Sequence, residues 1–456
     1  MIAPSLALEP LAAVWVDTVL TPAALEATKA LVRLVLQRER EGNLDGPGGG
    51  DQLPAGLRQQ LDAVPQGELL AAIRRHRLEC LLHGDPLVAR LVPDLAPRLQ
   101  ALARQEAMAA MALASLTREM ANLFEQAAMP MLVIKGIPLA LQTTGSLTAR
   151  GRGDLDLLVD PQRLPEAVAL LEGSAFRRLP GYLPRDLDSF WARYGRWVGY
   201  ELSMVREAAG APQWIDLHWA LSNVRGPLPN FALAWQCGEQ LDFHGQPVRT
   251  LSRLHAFQHA CAHAAKDHWM CLRNLIDIDR LADQLKGCDL GRLRHQPTVR
   301  WSGTVTHAVT ANEALHQLNR GRPSAGSARA MVRAAHAQAR PLPWWRGQGP
   351  GPWSLGRWAS TVWLLLLLSR DACDWLRTLL FFTLQPAAFS DPETGEDRGL
   401  VGFLQARIAR LRQRLNERRP SNQAANASTP EADSMPTALE SRLGSGRPAG
   451  KASRCP

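Results

Sequence analysis

The first quarter of the chain places apolar residues three and four positions apart in several consecutive segments. This spacing collects them on one face of a helix and therefore predicts amphipathic helices. The segments are 24–39, 57–64, 67–84 and 95–128. Residues 1–125 are accordingly predicted to form a helical N-terminal region.

Beyond residue 126 the apolar runs become shorter and alternate with polar positions, which is typical of strands. The chain runs through predicted strand, turn, helix, strand, helix and strand, an order that indicates an α/β or α+β core over 126–245. The predicted strands are 129–136, 154–160 and 213–221, and the predicted helices are 137–144 and 161–176.

Helical periodicity returns from Thr250 to Leu285 almost without interruption, so residues 246–295 are predicted to be a helical partner of the core. Residues 296–420 are predicted as a C-terminal helical region. Its last helix, 403–419, is amphipathic and basic; Leu404, Ile408, Leu411 and Leu415 form its apolar stripe. The final segment, 421–456, is rich in Ser, Ala, Pro and Gly and is predicted to be disordered.

A short apolar run, Trp363 to Leu368, lies between Arg357 and Arg370. A helix needs about 20 apolar residues to cross a membrane, so this run is too short. A buried helix is predicted, and a helix lying in the membrane interface is the alternative.

Composition narrows the partners and the compartment. The net charge is +9, and nearly all of the basic residues are Arg. A charge that rests on such a biased composition is weak evidence for nucleic-acid binding, so no sequence-specific nucleic acid is expected. The seven cysteines are scattered without a CxxC pair, which argues against a disulfide framework or a zinc ribbon. The N-terminus lacks a basic stretch before its apolar part, which argues against a secretory signal. A cytoplasmic protein is therefore predicted, and peripheral contact with the inner membrane is left open.

Three aspartates carry the predicted chemistry. Asp154 and Asp156 project to the same face of a strand because alternate side chains do so. Two adjacent carboxylates repel unless a cation lies between them, and Mg²⁺ or Mn²⁺ with its preference for oxygen is the expected partner. Asp216, on a strand that can pair alongside, is the predicted third ligand. His218 follows Asp216 by two, and either orients that carboxylate or packs in the core.

A second predicted feature is the turn at Lys135-Gly136, between a strand and a helix. Glycine lets the backbone approach a ligand, the start of the helix offers free N–H groups, and Lys135 adds positive charge beside phosphates. The Gly145-Ser146 pair is the alternative phosphate turn, but it follows the helix rather than the strand.

These motifs, taken in order, resemble the uncharacterised nucleotidyltransferases of bacteria, a branch of the polymerase-β-like superfamily. The resemblance covers about Pro130 to Leu281. Its matching elements are Lys135-Gly136, Arg150, Asp154-Leu-Asp156-Leu-Leu-Val159, Asp216-Leu-His218-Trp219, and the residues Cys261, His263, Lys266, Trp269 and Asp277. Related enzymes carry Gly-Ser after the first strand, where this chain has Lys135-Gly136.

The resemblance implies an α+β fold, with a nucleotidyltransferase mixed sheet between helical N-terminal and C-terminal regions. It implies transfer of a nucleoside monophosphate from an NTP to an acceptor, with Asp154, Asp156 and Asp216 holding Mg²⁺ or Mn²⁺. Lys135, Gly136, Arg150 and Lys266 are the expected nucleotide-binding residues. The acceptor, whether small molecule, sugar, protein or RNA end, is left open. The alternative is a non-catalytic nucleotide-binding or regulatory module of the same fold.

His255, His259 and His263 recur at every fourth position of one predicted helix. Zinc is one interpretation of this spacing, but side chains on consecutive turns of one helix do not close a tetrahedral shell unaided. Core or interface histidines are therefore predicted.

Overall fold

A computed structural model describes the structure of the chain in ten segments. The segments are 19–42, 56–151, 153–179, 183–208, 212–243, 245–319, 324–340, 355–369, 371–384 and 399–417. The predicted disordered tail, 421–456, lies outside the described residues. The chain divides into two compact units, Met1–Phe403 and Leu404–Pro456.

The N-terminal region consists of helices, as its periodicity predicts. They are α1 (Pro22–Arg40), α2 (Leu57–Asp62), α3 (Gln66–Arg75), α4 (Glu79–His83), α5 (Pro86–Leu91) and α6 (Ala96–Gln126). Thr21 caps α1 by accepting from the backbone N–H of Ala24, and Asp85 caps α5 in the same way. The predicted helix 67–84 is interrupted between α3 and α4, where Arg77 has a positive φ.

Strands and helices alternate through the middle of the chain. In order they are β1 (Met131–Ile134), α7 (Gly136–Thr144), β2 (Leu155–Val159), α8 (Leu164–Gly173), β3 (Arg177–Arg178), α9 (Phe190–Val198), β4 (Glu201–Arg206), β5 (Gln213–His218), α10 (Phe231–Cys237), β6 (Glu239–Phe243) and β7 (Gln246–Thr250). A 3-10 turn, Pro161–Arg163, precedes α8. The three predicted strands and both predicted helices of this region are present as β1, β2, β5, α7 and α8.

The remaining described elements are helical. They are α11 (Arg253–Lys266), α12 (Leu272–Gln284), α13 (Gly287–Leu293), α14 (Pro297–Thr310), α15 (Glu313–His316), α16 (Ala325–Ala339), α17 (Leu355–Leu368), α18 (Ala372–Thr383) and α19 (Gly399–Glu417). The predicted continuous helix from Thr250 to Leu285 is broken between α11 and α12. His268 and Trp269 both adopt positive φ there, which a helix does not tolerate.

The central sheet has five strands in the order β1-β2-β5-β4-β3. β2 and β5 pair in parallel, whereas β1 with β2, β4 with β5 and β3 with β4 are antiparallel. The sheet is therefore mixed, and the predicted α+β fold is confirmed. A separate hairpin is formed by β6 and β7.

The two faces of the sheet are covered by different helices. On one face Val133, Leu157 and Leu217 pack in an apolar core with residues of α6 and α8. On the other face Ile134 and Leu158 join a core shared with α11 and α12. Because side chains alternate along a strand, Asp156 lies on the second face, between Leu155 and Leu157 of the first. The helices α11 and α12 thus face the side of the sheet that carries the carboxylates.

The N-terminal helices share their core with helices near the other end of the described chain. Apolar residues of α1 to α5 and of α11 to α16 form one cluster. Arg33 of α1 donates to the carbonyl oxygens of Ala308 and Val309 at 2.8 Å each, and Leu20 N–H donates to Ala339 O at 2.9 Å. The predicted boundaries at 125, 245 and 295 stay predictions, and this shared core joins the regions on either side of them.

The apolar run predicted as a buried helix forms the last six residues of α17. Val362, Leu364, Leu365 and Leu368 are buried, whereas Trp363 between them is exposed. Among the described residues, no helix combines the length and the apolar character that a membrane span requires. The predicted basic helix near the C-terminus is present as α19, in which Leu404 and Ile408 are exposed.

Candidate active site

Two parallel strands bring the predicted carboxylates together. Asp156 of β2 and Asp216 of β5 are register partners on adjacent strands, so they point to the same face side by side. Asp154 precedes β2 and is exposed, and its carboxylate makes no hydrogen bond or ion pair within the described part of the chain. Asp156 is therefore the buried member of the predicted metal-binding set and Asp154 the accessible one.

The carboxylate of Asp156 has two partners, a lysine and a histidine. Its Oδ1 lies 2.6 Å from Lys135 Nζ and 2.9 Å from His218 Nε2. Burial alone raises the pKa of Asp156, but Lys135 and His218 outweigh burial and lower this pKa to about 2. The carboxylate is consequently ionised at neutral pH. His218 was expected to orient Asp216 or to pack in the core; its ring is buried, and its Nε2 contacts Asp156 rather than Asp216.

Asp216 has the opposite electrostatic environment. Burial, together with the negative charges of Asp156 and Glu201, raises the pKa of Asp216 to about 6. Its Oδ1 accepts a 2.6 Å hydrogen bond from Ser203 Oγ, which offsets only part of this effect. Asp216 therefore lacks the ion pair with Lys135 that Asp156 has.

A further carboxylate, Glu201, lies beside the two paired aspartates; we call Asp156, Asp216 and Glu201 the carboxylate cluster. Glu201 pairs with His218 across β4 and β5, and its Oε2 lies 3.4 Å from His218 Nε2. Sequence analysis missed Glu201 and Ser203. The available signal is the alternation in β4, where Glu201 and Ser203 are half-buried while Leu202 and Met204 are buried.

The Lys135-Gly136 turn joins β1 to α7 at the edge of the cluster. Both residues have positive φ, 59° at Lys135 and 48° at Gly136. A Cβ at Gly136 would lie 3.0 Å from the carbonyl oxygen of Asp154, so the turn and the start of β2 approach too closely for any other residue. The turn thus places the first amide of α7 beside Asp154.

The alternative phosphate turn, Gly145-Ser146, lies at the opposite end of α7. Gly145 ends that helix in the left-handed conformation, with φ of 67°. Ser146 Oγ accepts from the backbone N–H of Thr148 at 3.2 Å and so stabilises its own loop. The structure therefore puts Lys135-Gly136, and not Gly145-Ser146, at the helix start.

Arg150 is bound to a helix rather than directed at the cluster. Its guanidinium makes a bidentate pair with Asp277 of α12, with distances of 2.8, 3.0 and 2.8 Å. Both side chains are buried, at 8% and 4% exposure. Arg150 thereby ties the loop before Asp154 to α12, and its charge is already matched.

Helix α11 directs polar side chains toward the cluster. Lys266 Nζ donates to Tyr200 Oη at 3.1 Å, and His259 Nε2 donates to Leu221 O at 3.1 Å. Lys266 lowers the pKa of Glu201, together with His218 and Lys135 and against the effect of burial. His268 turns away from the cluster, and its Nε2 lies 3.1 Å from Thr361 Oγ1 of α17.

The described residues contain no group of three or more His, Cys, Asp or Glu side chains arranged to hold a metal ion. In the histidine row, His259 binds a backbone carbonyl and His263 lies 3.5 Å from Asp267, so each has a protein partner. The carboxylate cluster has the oxygen donors and the excess negative charge that suit Mg²⁺ or Mn²⁺. Its present geometry is set by Lys135, which takes the position on Asp156 where a cation is expected.

Comparison with known proteins assigns the fold and motifs to one family. A family model described as "Uncharacterised nucleotidyltransferase" matches residues 62–298, just over half of the chain. No curated protein matches the chain. The matched range contains the sheet, the cluster, α11 and α12.

Proposed function

The chain belongs to the family of uncharacterised nucleotidyltransferases, and from this premise we propose that it transfers a nucleoside monophosphate from an NTP to a hydroxyl-bearing acceptor. The observation that carries the proposal is the register pair of Asp156 and Asp216, flanked by Lys135 at the start of a helix. Paired carboxylates beside a cationic helix start are suited to a metal-bound triphosphate. The acceptor class stays open among small molecules, sugars, proteins and RNA ends.

Asp154, Asp156 and Asp216 are the residues we propose as metal ligands. The donor set fits Mg²⁺ or Mn²⁺, because Asp216 has no ion pair with a lysine or arginine and Asp154 is accessible with no protein partner among the described residues. Such an ion, when bound, would screen the carboxylates from one another and stabilise charge on the phosphates. The ion would then share with Lys135 the neutralisation of the Asp156 carboxylate.

The other residues bind and orient the nucleotide. We propose that Lys135 and the amide of Gly136 contact the phosphates, with Lys266 adding charge from α11. Gly136 permits the phosphates to approach the backbone because it has no side chain, and its backbone lies against Asp154. Arg150 was predicted as a nucleotide ligand; its pairing with Asp277 supports an indirect role, in which it holds the loop that ends at Asp154.

The test is a labelling experiment with the whole chain. Each α-³²P-labelled ribonucleoside triphosphate is incubated with the protein, Mg²⁺ or Mn²⁺, and cell extract as the source of acceptor. We expect metal-dependent transfer of label by the wild type and none by Asp154→Asn or Asp156→Asn. Label transfer by both variants at the wild-type rate would reject these residues as ligands, and its absence in the wild type would reject the activity.

A non-catalytic nucleotide-binding module is the second candidate. It is favoured by one observation, that Asp156 already has Lys135 and His218 as partners. Calorimetry distinguishes the two candidates: this module would bind NTP with full stoichiometry and leave it unchanged in every labelling reaction.

Peripheral membrane contact and a cytoplasmic location are further parts of the proposal. Helix α18 exposes Trp375, Leu376 and Leu379, and α17 exposes Trp363. Tryptophan is favoured at the membrane–water interface. We expect the wild type to sediment with anionic vesicles and Trp375→Ser/Leu379→Ser to stay in the supernatant; equal sedimentation of the two proteins would refute the contact.

A further inference from the structure

One imidazole beside the carboxylate cluster remains accessible. On α11, His259, His263 and Lys266 share a face because they are three and four residues apart. The two neighbours of His263 contact groups next to the cluster, His259 through Leu221 O and Lys266 through Tyr200 Oη. His263 lies between them and so faces the same region.

The histidines around the cluster differ in how much of the ring is available. The His263 side chain is 26% exposed, whereas that of His218 is 1% exposed. His259 is buried as well. Within the described part of the chain, Asp267 is the one ionic or hydrogen-bonding partner of His263, which leaves Nε2 without a partner there. His263 is thus the imidazole that a substrate can reach.

Asp267 lies beside this ring. Its Oδ2 lies 3.5 Å from Nδ1 of His263, one helical turn away, and Asp267 is itself buried. A carboxylate in this position favours the tautomer with a proton on Nδ1 and a lone pair on Nε2. A base oriented by a third group is the arrangement that activates hydroxyl nucleophiles in many enzymes, and such contacts are often long before substrate binds.

The surrounding charges keep the ring neutral. Burial, together with the positive charges of Lys135 and Lys266, lowers the pKa of His263 well below its usual value. A neutral imidazole is able to accept a proton at pH 7. A bound triphosphate would offset the lysine charges and so raise the pKa of His263, which makes the ring a stronger base.

We propose that His263 is the general base that activates the acceptor hydroxyl, with Asp267 as its positioning residue. The inference rests on the proposed transfer function. The acceptor O–H bond breaks and its proton passes to Nε2 of His263, while the oxygen forms a bond to the α-phosphorus. The bond from that phosphorus to the bridging oxygen of the β-phosphate breaks, and pyrophosphate leaves with the electron pair.

The test uses the full chain with Mn²⁺, each α-³²P-labelled ribonucleoside triphosphate and cell extract as the source of acceptor, and measures the rate of label transfer. We expect His263→Ala and His263→Gln to lower kcat by about 100-fold or more, because general bases contribute 10²–10⁴-fold. The KM for NTP should change less than about threefold, since the nucleotide contacts are intact. Asp267→Asn should lower kcat by a smaller factor.

Chemical rescue separates a lost base from a damaged fold. Free imidazole should increase the activity of His263→Ala by about tenfold or more, because the shortened side chain leaves room at a half-buried position. It should not accelerate Asp216→Asn. The matched control is His316→Ala, an exposed histidine on α15 that should behave as wild type with or without imidazole.

The outcomes distinguish this inference from the proposed function. Wild-type kcat in His263→Ala, or a loss of activity that imidazole does not restore in a variant melting at the wild-type temperature, would overturn the base while leaving transfer intact. Absence of label transfer by the wild type with every NTP in the presence of cell extract would overturn the transfer function and the base with it. Rescue specific to His263→Ala supports the assignment.

Discussion

The ammonium group of Lys135 has two anionic partners available, Asp156 in the structure and the nucleotide phosphates in the proposed function. Lys135→Ala should weaken NTP binding by roughly 1.5 to 3 kcal/mol, the scale of a charged hydrogen bond. It should also destabilise the fold, because Asp156 would stay buried without its cation. Calorimetry with NTP and thermal melts check both effects, with the exposed Lys286→Ala as control. Unchanged NTP affinity in Lys135→Ala would remove Lys135 from the phosphate site.

The stability that Lys135 provides through Asp156 depends on pH. The pKa of Asp156 is about 2 in the fold, against an ordinary value of 3.8. A carboxylate with a lowered folded-state pKa stabilises the fold above its unfolded pKa and loses that effect as the pH falls toward the folded pKa. The difference corresponds to about 2 kcal/mol, present at pH 7 and fading below about pH 4. The destabilisation of Lys135→Ala should fade over the same interval.

Glu79 illustrates the reverse sign. Burial and the nearby charge of Glu106 raise the pKa of Glu79 to about 7, from an ordinary value of 4.5. Ionisation therefore costs stability as the pH rises through this interval, by about 3 kcal/mol once complete. Glu79→Gln should be more stable than wild type at pH 8 and equal to it at pH 4, as measured by urea unfolding. The exposed Glu313→Gln is the control; a Glu79→Gln variant less stable than wild type at pH 8 would contradict the assignment.

Between elements, the ion pair of Arg150 and Asp277 fastens the loop before β2 to α12. Removing one member of a buried pair leaves an uncompensated charge, so Asp277→Asn should lower the free energy of unfolding by about 3 to 5 kcal/mol. Asp289→Asn breaks an exposed contact of 3.9 Å with Arg292 and should cost less than about 1 kcal/mol. Urea titration measures both. A loss below about 1 kcal/mol in Asp277→Asn would mean that the pair does not fasten the loop.

The elements that could be predicted from sequence are those with a strong local signal. β1, β2 and β5 combine apolar residues with the KG, DLD and DLH motifs, and α7 and α8 begin and end at recognisable positions. β3 has two residues, while β6 and β7 form a hairpin whose outer side is exposed, so their apolar patterns are weak. α14 and α16 lie in the region 296–420 that was predicted to be helical, but neither was predicted individually, because Thr, Ser and Ala replace larger apolar residues in much of both helices and weaken their periodicity.

For the candidate site as well, the sequence predicts only what has a local signal. Asp154, Asp156, Asp216 and Lys135 lie in recognisable local motifs. The partners of Arg150 and His218 are 127 and 62 residues away in sequence, at Asp277 and Asp156. Only the paired strands and the docked helix bring such residues together, so a local pattern predicts the residue and not its contact.

For the whole molecule, the shared apolar core means that the family-matched range is not a self-sufficient folding unit. A fragment of residues 62–298 lacks α1 and most of α14, which pack against α12 in the intact chain. We expect this fragment to show no cooperative thermal transition, while residues 19–417 melt cooperatively. Circular dichroism with temperature is the measurement. A cooperative transition of the fragment near that of the longer chain would show that α1 and α14 add little.

The hydrogen bonds from Arg33 to Val309 and Ala308 span 276 and 275 residues of sequence. A ribosome adding about 5–20 residues per second needs roughly 14 to 55 s to synthesise the stretch between these partners. Throughout that interval the apolar face of α1 has no α14 to cover it. Newly made chains are therefore exposed to aggregation for much longer than chains whose neighbouring segments pack locally, and the yield of folded protein in cells should depend on chaperones that bind the nascent N-terminus.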